Sequence, residues 1–130
     1  ESNPALRRTA RLGDAWYPGS RNPKHRLDTP ERLKAGVEKL AAIAEKEGRD
    51  PSTIDVAYVY FHPVSFKSEP GFDTPRAMMT GSAEEMAGDV RALAKAGVKH
   101  LNLTFPAGSL DEMSDTIQRF AEDVMPLVRS

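Results

Sequence analysis

Three strand-like runs, Asp14 to Tyr17, Ile54 to Val64 and Val98 to Phe105, alternate along the chain with four stretches that carry apolar residues at helical spacing. This alternation constrains the fold more than any single motif. Strands joined through helices must run parallel and connect by right-handed crossovers. The middle run, Ile-Asp-Val-Ala-Tyr-Val-Tyr-Phe from Ile54, is almost continuously apolar, as a strand covered on both faces should be. The helices are read from their punctuation. Pro4 suits the first turn of a helix over Asn3 to Leu12, with Leu6 and Ala10 inward and Gly13 closing it. Thr29 and Pro30 open a second helix with the stripe Leu33, Val37, Leu40, Ala41 and Ala44, ended by Gly48. Ser82-Ala83-Glu84-Glu85 and Ser109-Leu110-Asp111-Glu112 both read as capping boxes. The third helix is expected to bury Met86, Val90, Leu93 and Ala94. The last is expected to bury Leu110, Met113, Ile117, Phe120, Ala121 and Val124.

The expected order is therefore α-β-α-β-α-β-α, with about three parallel strands and four helices. Three strands are few, since a closed (β/α)8 barrel needs eight. Such a set makes about three-eighths of a barrel or a small part of an open doubly wound sheet. The chain opens at Glu1-Ser2-Asn3-Pro4 on a helix cap, so we expect a strand before Glu1. We take residues 1–130 as a single domain. With 39% hydrophobic and 28% charged residues the composition is that of a globular protein. A net charge of −1 gives no reason to expect nucleic acid as a partner. The absence of cysteine excludes disulfides, thiolate metal sites and cysteine nucleophiles, and leans toward a reducing, cytoplasmic compartment. No apolar run approaches the ~20 residues that span a bilayer, so no membrane partner is expected.

Parallel α/β folds bind ligands at the C-terminal ends of their strands. That rule selects the Glu1-Ser2-Asn3 cap, the segment from Tyr17 to Arg26 with its basic loop, the segment from His62 to Gly81, and Thr104 to Gly108. Ser2 and Asn3 either hold a phosphate at the helix N-terminus or only cap the helix. Arg21, Lys24, His25 and Arg26 either meet an anionic group or form a solvated loop. His25 and His62 are the candidate acid–base groups, His62 the better placed at the end of the strongest strand, against a structural role. His100 lies early in its strand and reads as packing. Trp16, Tyr17, Tyr58, Tyr60, Phe61 and Phe105 either stack on a planar ring or fill the core. The sequence holds no Gly-x-Gly-x-x-Gly, P-loop, Gly-x-Ser-x-Gly or metal-ligand cluster, and we assign no metal.

Four segments then carry a resemblance. They are Pro4 to Pro18 (Pro-Ala-Leu-Arg-Arg-Thr-Ala-Arg-Leu-Gly-Asp-Ala-Trp-Tyr-Pro), Glu47 to Pro51, Gly81 to Glu85 leading to Leu93-Ala94-Lys95-Ala96-Gly97-Val98, and Phe120 to Leu127. In this order they resemble the C-terminal part of the luciferase-like monooxygenase family. The resemblance implies a (β/α)8 barrel whose C-terminal portion this chain supplies, and a flavoprotein-type oxidoreductase using FMN or coenzyme F420. The implied reaction is hydride transfer or oxygen insertion on a small organic substrate. It also implies that Ser2, with Asn3 beside it, lies where the cofactor phosphate binds; Ala5 stands where members often carry a second hydroxyl. The usual catalytic positions of the family fall before Glu1, so the chain alone is expected to be inactive. It should pair with another copy or with a missing N-terminal half. The rival reading is a non-catalytic α/β module for assembly or ligand binding.

Overall fold

In the computed structural model, residues 2–129 are described. Helix α1 (Asn3–Leu12) starts where the Ser2 hydroxyl accepts the Ala5 amide at 3.3 Å, with Pro4 in the first turn. It buries Leu6 and Ala10. Its last carbonyls at Thr9 and Ala10 accept from the Arg49 guanidinium at 3.5 and 3.4 Å, so a side chain distant in sequence closes the helix. Strand β1 (Ala15–Trp16) pairs in parallel with β2 (Asp55–Tyr60), Ala15 opposite Asp55 and Trp16 opposite Val56. Helix α2 (Pro30–Lys46) lies between them in sequence, capped by Thr29 accepting the Arg32 amide at 3.1 Å. It ends through Gly48, whose φ of 75° is the left-handed conformation, with Arg49 N–H bonded to the Ala44 carbonyl at 2.9 Å. A 3-10 turn (Pro51–Thr53) leads into β2; there Asp50 accepts from the Ser52 amide and hydroxyl, which holds its carboxyl below the usual range.

Helix α3 (Ala83–Lys95), strand β3 (Val98–Leu103), helix α4 (Leu110–Arg119), a π-helical turn (Phe120–Val124) and helix α5 (Met125–Arg129) complete the chain. The described strands form one parallel sheet in the order β1-β2-β3, so β1 and β3 are its edges. The α/β architecture expected from the sequence is what forms. The strands are shorter than their apolar runs. β2 stops at Tyr60 rather than Val64 and β3 at Leu103 rather than Phe105. Pro63 and Pro106 lie just beyond, and proline has no N–H to donate to a ladder.

The chain divides into two compact units. The first runs up to Tyr60 and includes Leu93–Asn102. Its core is apolar: Leu6, Trp16, Leu33, Leu40, Ala44, Val56, Tyr58 and Leu93 are all buried. A Cβ on Gly36 would lie 3.0 Å from the Trp16 ring, so the missing side chain is what lets the indole approach α2. The Tyr58 hydroxyl donates to the Leu27 carbonyl, and burial pushes this phenol well above its usual range.

The second unit, Phe61–Ala92 with the chain after Asn102, is organised by polar contacts. Arg76 clamps Asp89 of α3 with two bonds of 2.9 and 2.7 Å. The same guanidinium donates to the Thr80 carbonyl at 2.8 Å and lies 3.3 Å from Glu85. Asp89 also accepts the Met79 amide at 2.8 Å. Met79 has a φ of 61°, rare for a side chain of its size, and is fully buried. The segment between β2 and α3 is thus not a loose loop: Ala77 to Gly81 is buried, and Ser65 bridges to Thr80. The Ser82 capping box forms in both directions, at 3.0 and 3.1 Å. At Ser109 the hydroxyl accepts the Glu112 amide at 3.0 Å.

Two expected helix faces differ from the faces that form. In α3 the buried set is Met86, Ala87, Asp89 and Leu93; Ala94 is exposed. In the last helical stretch Phe120 and Val124 are buried, Phe120 edge-on to Phe105 at 5.8 Å. Leu110 and Ile117 are 79% and 44% exposed, Ala121 is exposed and Met113 half-buried. Apolar spacing records which face can be buried, and here the first two turns bury no residue fully.

Candidate functional site

Parallel partners project to the same face of a sheet. Trp16 and Val56 therefore face α2 with Tyr58, and Ala15, Tyr17, Asp55 and Ala57 occupy the opposite face. On that face, within the first unit, polar side chains meet. Asn102 of β3 donates through Nδ2 to the Tyr17 hydroxyl oxygen. At the other end of the strands Lys99 lies 3.1 Å from Asp55, and His100 Nε2 lies 4.0 Å from the same carboxylate. His100 is exposed, so it does not pack as the sequence suggested; β3 is an edge strand and its even-numbered residues stand on the open face. Tyr17 and Asn102 lie at the C-terminal ends of their strands, and the Asp55 cluster lies at the N-terminal ends.

The cap at α1 is occupied by its own helix. The Ser2 hydroxyl takes the Ala5 amide, the Ser2 carbonyl takes the Leu6 amide at 3.0 Å, and Pro4 has no N–H. Few first-turn donors remain for an anion. Asn3 is exposed and opens instead onto a groove of about 460 Å³ lined by Arg7, Lys39, Ala42, Ile43, Lys46 and Glu47. Its three cations make this groove fit a phosphate-bearing group better than the cap itself does. Glu1 lies outside the described residues.

In the basic loop the Asn22 side chain accepts the amides of Lys24 and His25 at 3.0 and 3.1 Å, folding it into a turn. Arg21 and Lys24 are exposed. His25 and Arg26 share a cavity of about 200 Å³ with Trp16, Leu27, Gly36 and Lys39. The loop's four basic residues therefore do not converge on one point. His62, in the second unit, places Nδ1 3.0 Å from the Pro63 carbonyl and Nε2 3.6 Å from Glu69. Sequence reasoning missed Arg76 and Asp89, the Asp55 cluster, and the Tyr17–Asn102 bond. The last had a signal: His100 and Asn102 are two apart in a strand and must share a face. Among the described residues no group of three His, Cys, Asp or Glu is placed to hold a metal, and no helix is long and apolar enough to cross a membrane.

No protein-family model matches the sequence, and no curated protein does. Solved structures do. An F420-dependent secondary alcohol dehydrogenase in complex with an F420-acetone adduct matches with a TM-score of 0.64 at 17% identity, over 96% of this chain and 46% of the other. A riboflavin lyase with modified FMN and riboflavin matches with 0.63 at 15%, over 98% and 41%. A long-chain alkane monooxygenase matches with 0.62 at 15%, over 98% and 39%. The chain thus spans under half the length of these structures. At such identities the likeness shows the fold alone, and that fold is part of a (β/α)8 barrel. These neighbours are members of the luciferase-like family that the four sequence segments resemble.

Proposed function

We propose that this chain is the C-terminal segment of a (β/α)8 barrel, residues 1–130 acting as one domain of it, in an oxidoreductase that uses coenzyme F420 or FMN. The observation that carries the reading is the fold match over nearly the whole chain to barrel enzymes whose names specify F420 or FMN. The four sequence motifs in family order support it independently. The cofactor would supply hydride transfer or oxygen activation toward a small organic substrate. This chain's part is to bind and orient. Asn3, with Arg7, Lys39 and Lys46 of the adjoining groove, offers cationic and polar contacts to a phosphate, and Ser2 fixes the start of α1. His62, held against Pro63 and Glu69, is proposed as the proton-handling group of the second unit, and Arg21, Lys24, His25 and Arg26 as anion-meeting residues on the surface.

The two open sheet edges and the exposed Leu110 and Ile117 also favour association, with a second copy or with a preceding barrel segment. Light scattering behind size exclusion would report that; a compact monomer near 14.3 kDa counts against it. The function itself is tested on the full-length parent, by intact mass together with near-ultraviolet and visible absorbance after adding FMN or F420. Stoichiometric retention of one cofactor by a parent of barrel length is the expected result. A parent of that length that retains neither would overturn the reading in favour of a non-catalytic assembly or ligand-binding module.

A further inference from the structure

We propose that Tyr17 and Asn102 form a binding site for the carbonyl–N–H edge of a lactam or imide heterocycle. Neighbouring strands lie ~4.8 Å apart, so β1 and β3 are separated by roughly 10 Å across β2. A side chain crosses that distance when it is long and the residue under it is small. The register places Ala57 level with Tyr17, and Ala57 is buried although it stands on the face turned away from α2. Tyr17 spans it and meets Asn102.

The bond between them fixes what the pair still offers. Asn102 Nδ2 is the donor, so the Tyr17 oxygen is the acceptor and its own O–H stays free to donate. Asn102 keeps Oδ1 as an acceptor. Neither side chain has a further hydrogen bond among the described residues. Tyr17 is 59% exposed and Asn102 is exposed, so both groups are reachable. The result is a donor beside an acceptor, each held in place by the other. Its complement is an acceptor beside a donor, which is a carbonyl next to an N–H in one ring. A carboxylate or phosphate brings acceptors alone and would set charge against Oδ1. An ammonium brings donors alone and leaves the phenol unsatisfied. The position agrees with the chemistry, since both residues lie at the C-terminal strand ends where parallel sheets bind ligands. The inference rests on the proposed function only for the source of the edge: the ring systems of FMN and F420 both carry one.

The experiment titrates the 130-residue chain with lumiflavin, which has the ring without a phosphate tail, and with 3-methyllumiflavin, whose N–H is blocked. The readout is the Asn102 side-chain amide in proton–nitrogen correlation spectra. Lumiflavin should move that signal and bind roughly fivefold to tenfold tighter than its methylated form, the loss expected for one hydrogen bond and its unsatisfied partner. Asn102→Leu should abolish the preference, read from the remaining shifted signals, and Tyr17→Phe should weaken both ligands by removing the donor to the carbonyl they share, each variant leaving the rest of the spectrum folded. Equal affinity for the two ligands, or no movement of the signal by lumiflavin, overturns the proposal. Retention of FMN by the full-length parent with no discrimination here would leave the cofactor reading standing and remove this one. Discrimination here with no cofactor retained by the parent would do the reverse.

Discussion

Helix α2 and helix α4 carry similar amphipathic patterns, yet one is a core element and the other is half bare. In α2 the stripe Leu33, Leu40 and Ala44 is buried against the apolar interior of the first unit. In α4 no residue is buried, and the stripe Leu110 and Ile117 faces outward. The difference shows that periodicity measures the capacity of a helix to bury a face, while burial depends on what the rest of the fold supplies. It also separates two ways of fixing a helix. α2 is held by side-chain packing, whereas α3 adds to its buried Met86, Ala87 and Leu93 a carboxylate, Asp89, clamped by Arg76 and by the Met79 amide.

Substitutions test that contrast. Leu33→Ala leaves a hole in a fully buried site and should cost about 2–5 kcal/mol in urea unfolding. A loss below about 1 kcal/mol would mean that α2 is not the packed element described. Asp89→Ala leaves the Arg76 guanidinium and the Met79 amide without their acceptor, and should cost about 3 kcal/mol. Protease nicking between 66 and 76 should rise with it; an unchanged cleavage rate would show that the clamp does not order the segment. Ser82→Ala removes the α3 cap at a cost of about 1 kcal/mol.

The partner of that cap gives a pH signature. The Ser82 amide above all holds the Glu85 carboxyl below its usual range; desolvation opposes it, and the Ser82 hydroxyl and the Arg76 charge add smaller lowering effects. A depressed folded pKa contributes stability above the ordinary glutamate value, and that contribution disappears as pH falls through the folded value. Glu85→Gln should therefore lower stability at neutral pH and flatten the acid limb of the stability curve; an acid limb identical to that of the parent chain would refute the assignment. Smallest of all, Ile117→Ser on the bare face should shift the stability of the chain as a monomer by less than about 0.5 kcal/mol. A core-sized loss would show that a partner covers α4 in solution, and so would erase the contrast with α2.

Much of this architecture was legible in the residues. The order of elements, the caps at Ser2, Thr29, Ser82 and Ser109, and the buried character of β2 follow from local chemistry that the sequence states outright. The illegible part depends on contacts between distant positions. Arg76 and Asp89 are thirteen residues apart with no shared pattern, and Arg49 closes a helix about forty residues before it. His100 looked like packing because it lies early in its strand, away from the ligand-binding ends, but its side chain is exposed beside Asp55. The glycines and prolines between Ser65 and Gly81 give no hint that the backbone there is tied at Ser65, Ala77 and Gly81. For the candidate site, residue type identified Ser2, Asn3 and His62 as candidates, and the sheet register was needed to bring Tyr17 and Asn102 together.

The π-helical turn at Phe120–Val124 has a consequence for anyone comparing this chain with a relative. A helix that widens for one turn accommodates one more residue than a straight helix of the same length, and each residue of offset rotates the succeeding positions by about 100°. An alignment that passes through this turn without a gap would assign Met125–Arg129 to the wrong side of the helix. Equivalent positions at the C-terminus must be counted from Phe120 and Val124, whose buried side chains mark the true phase on either side of the extra residue.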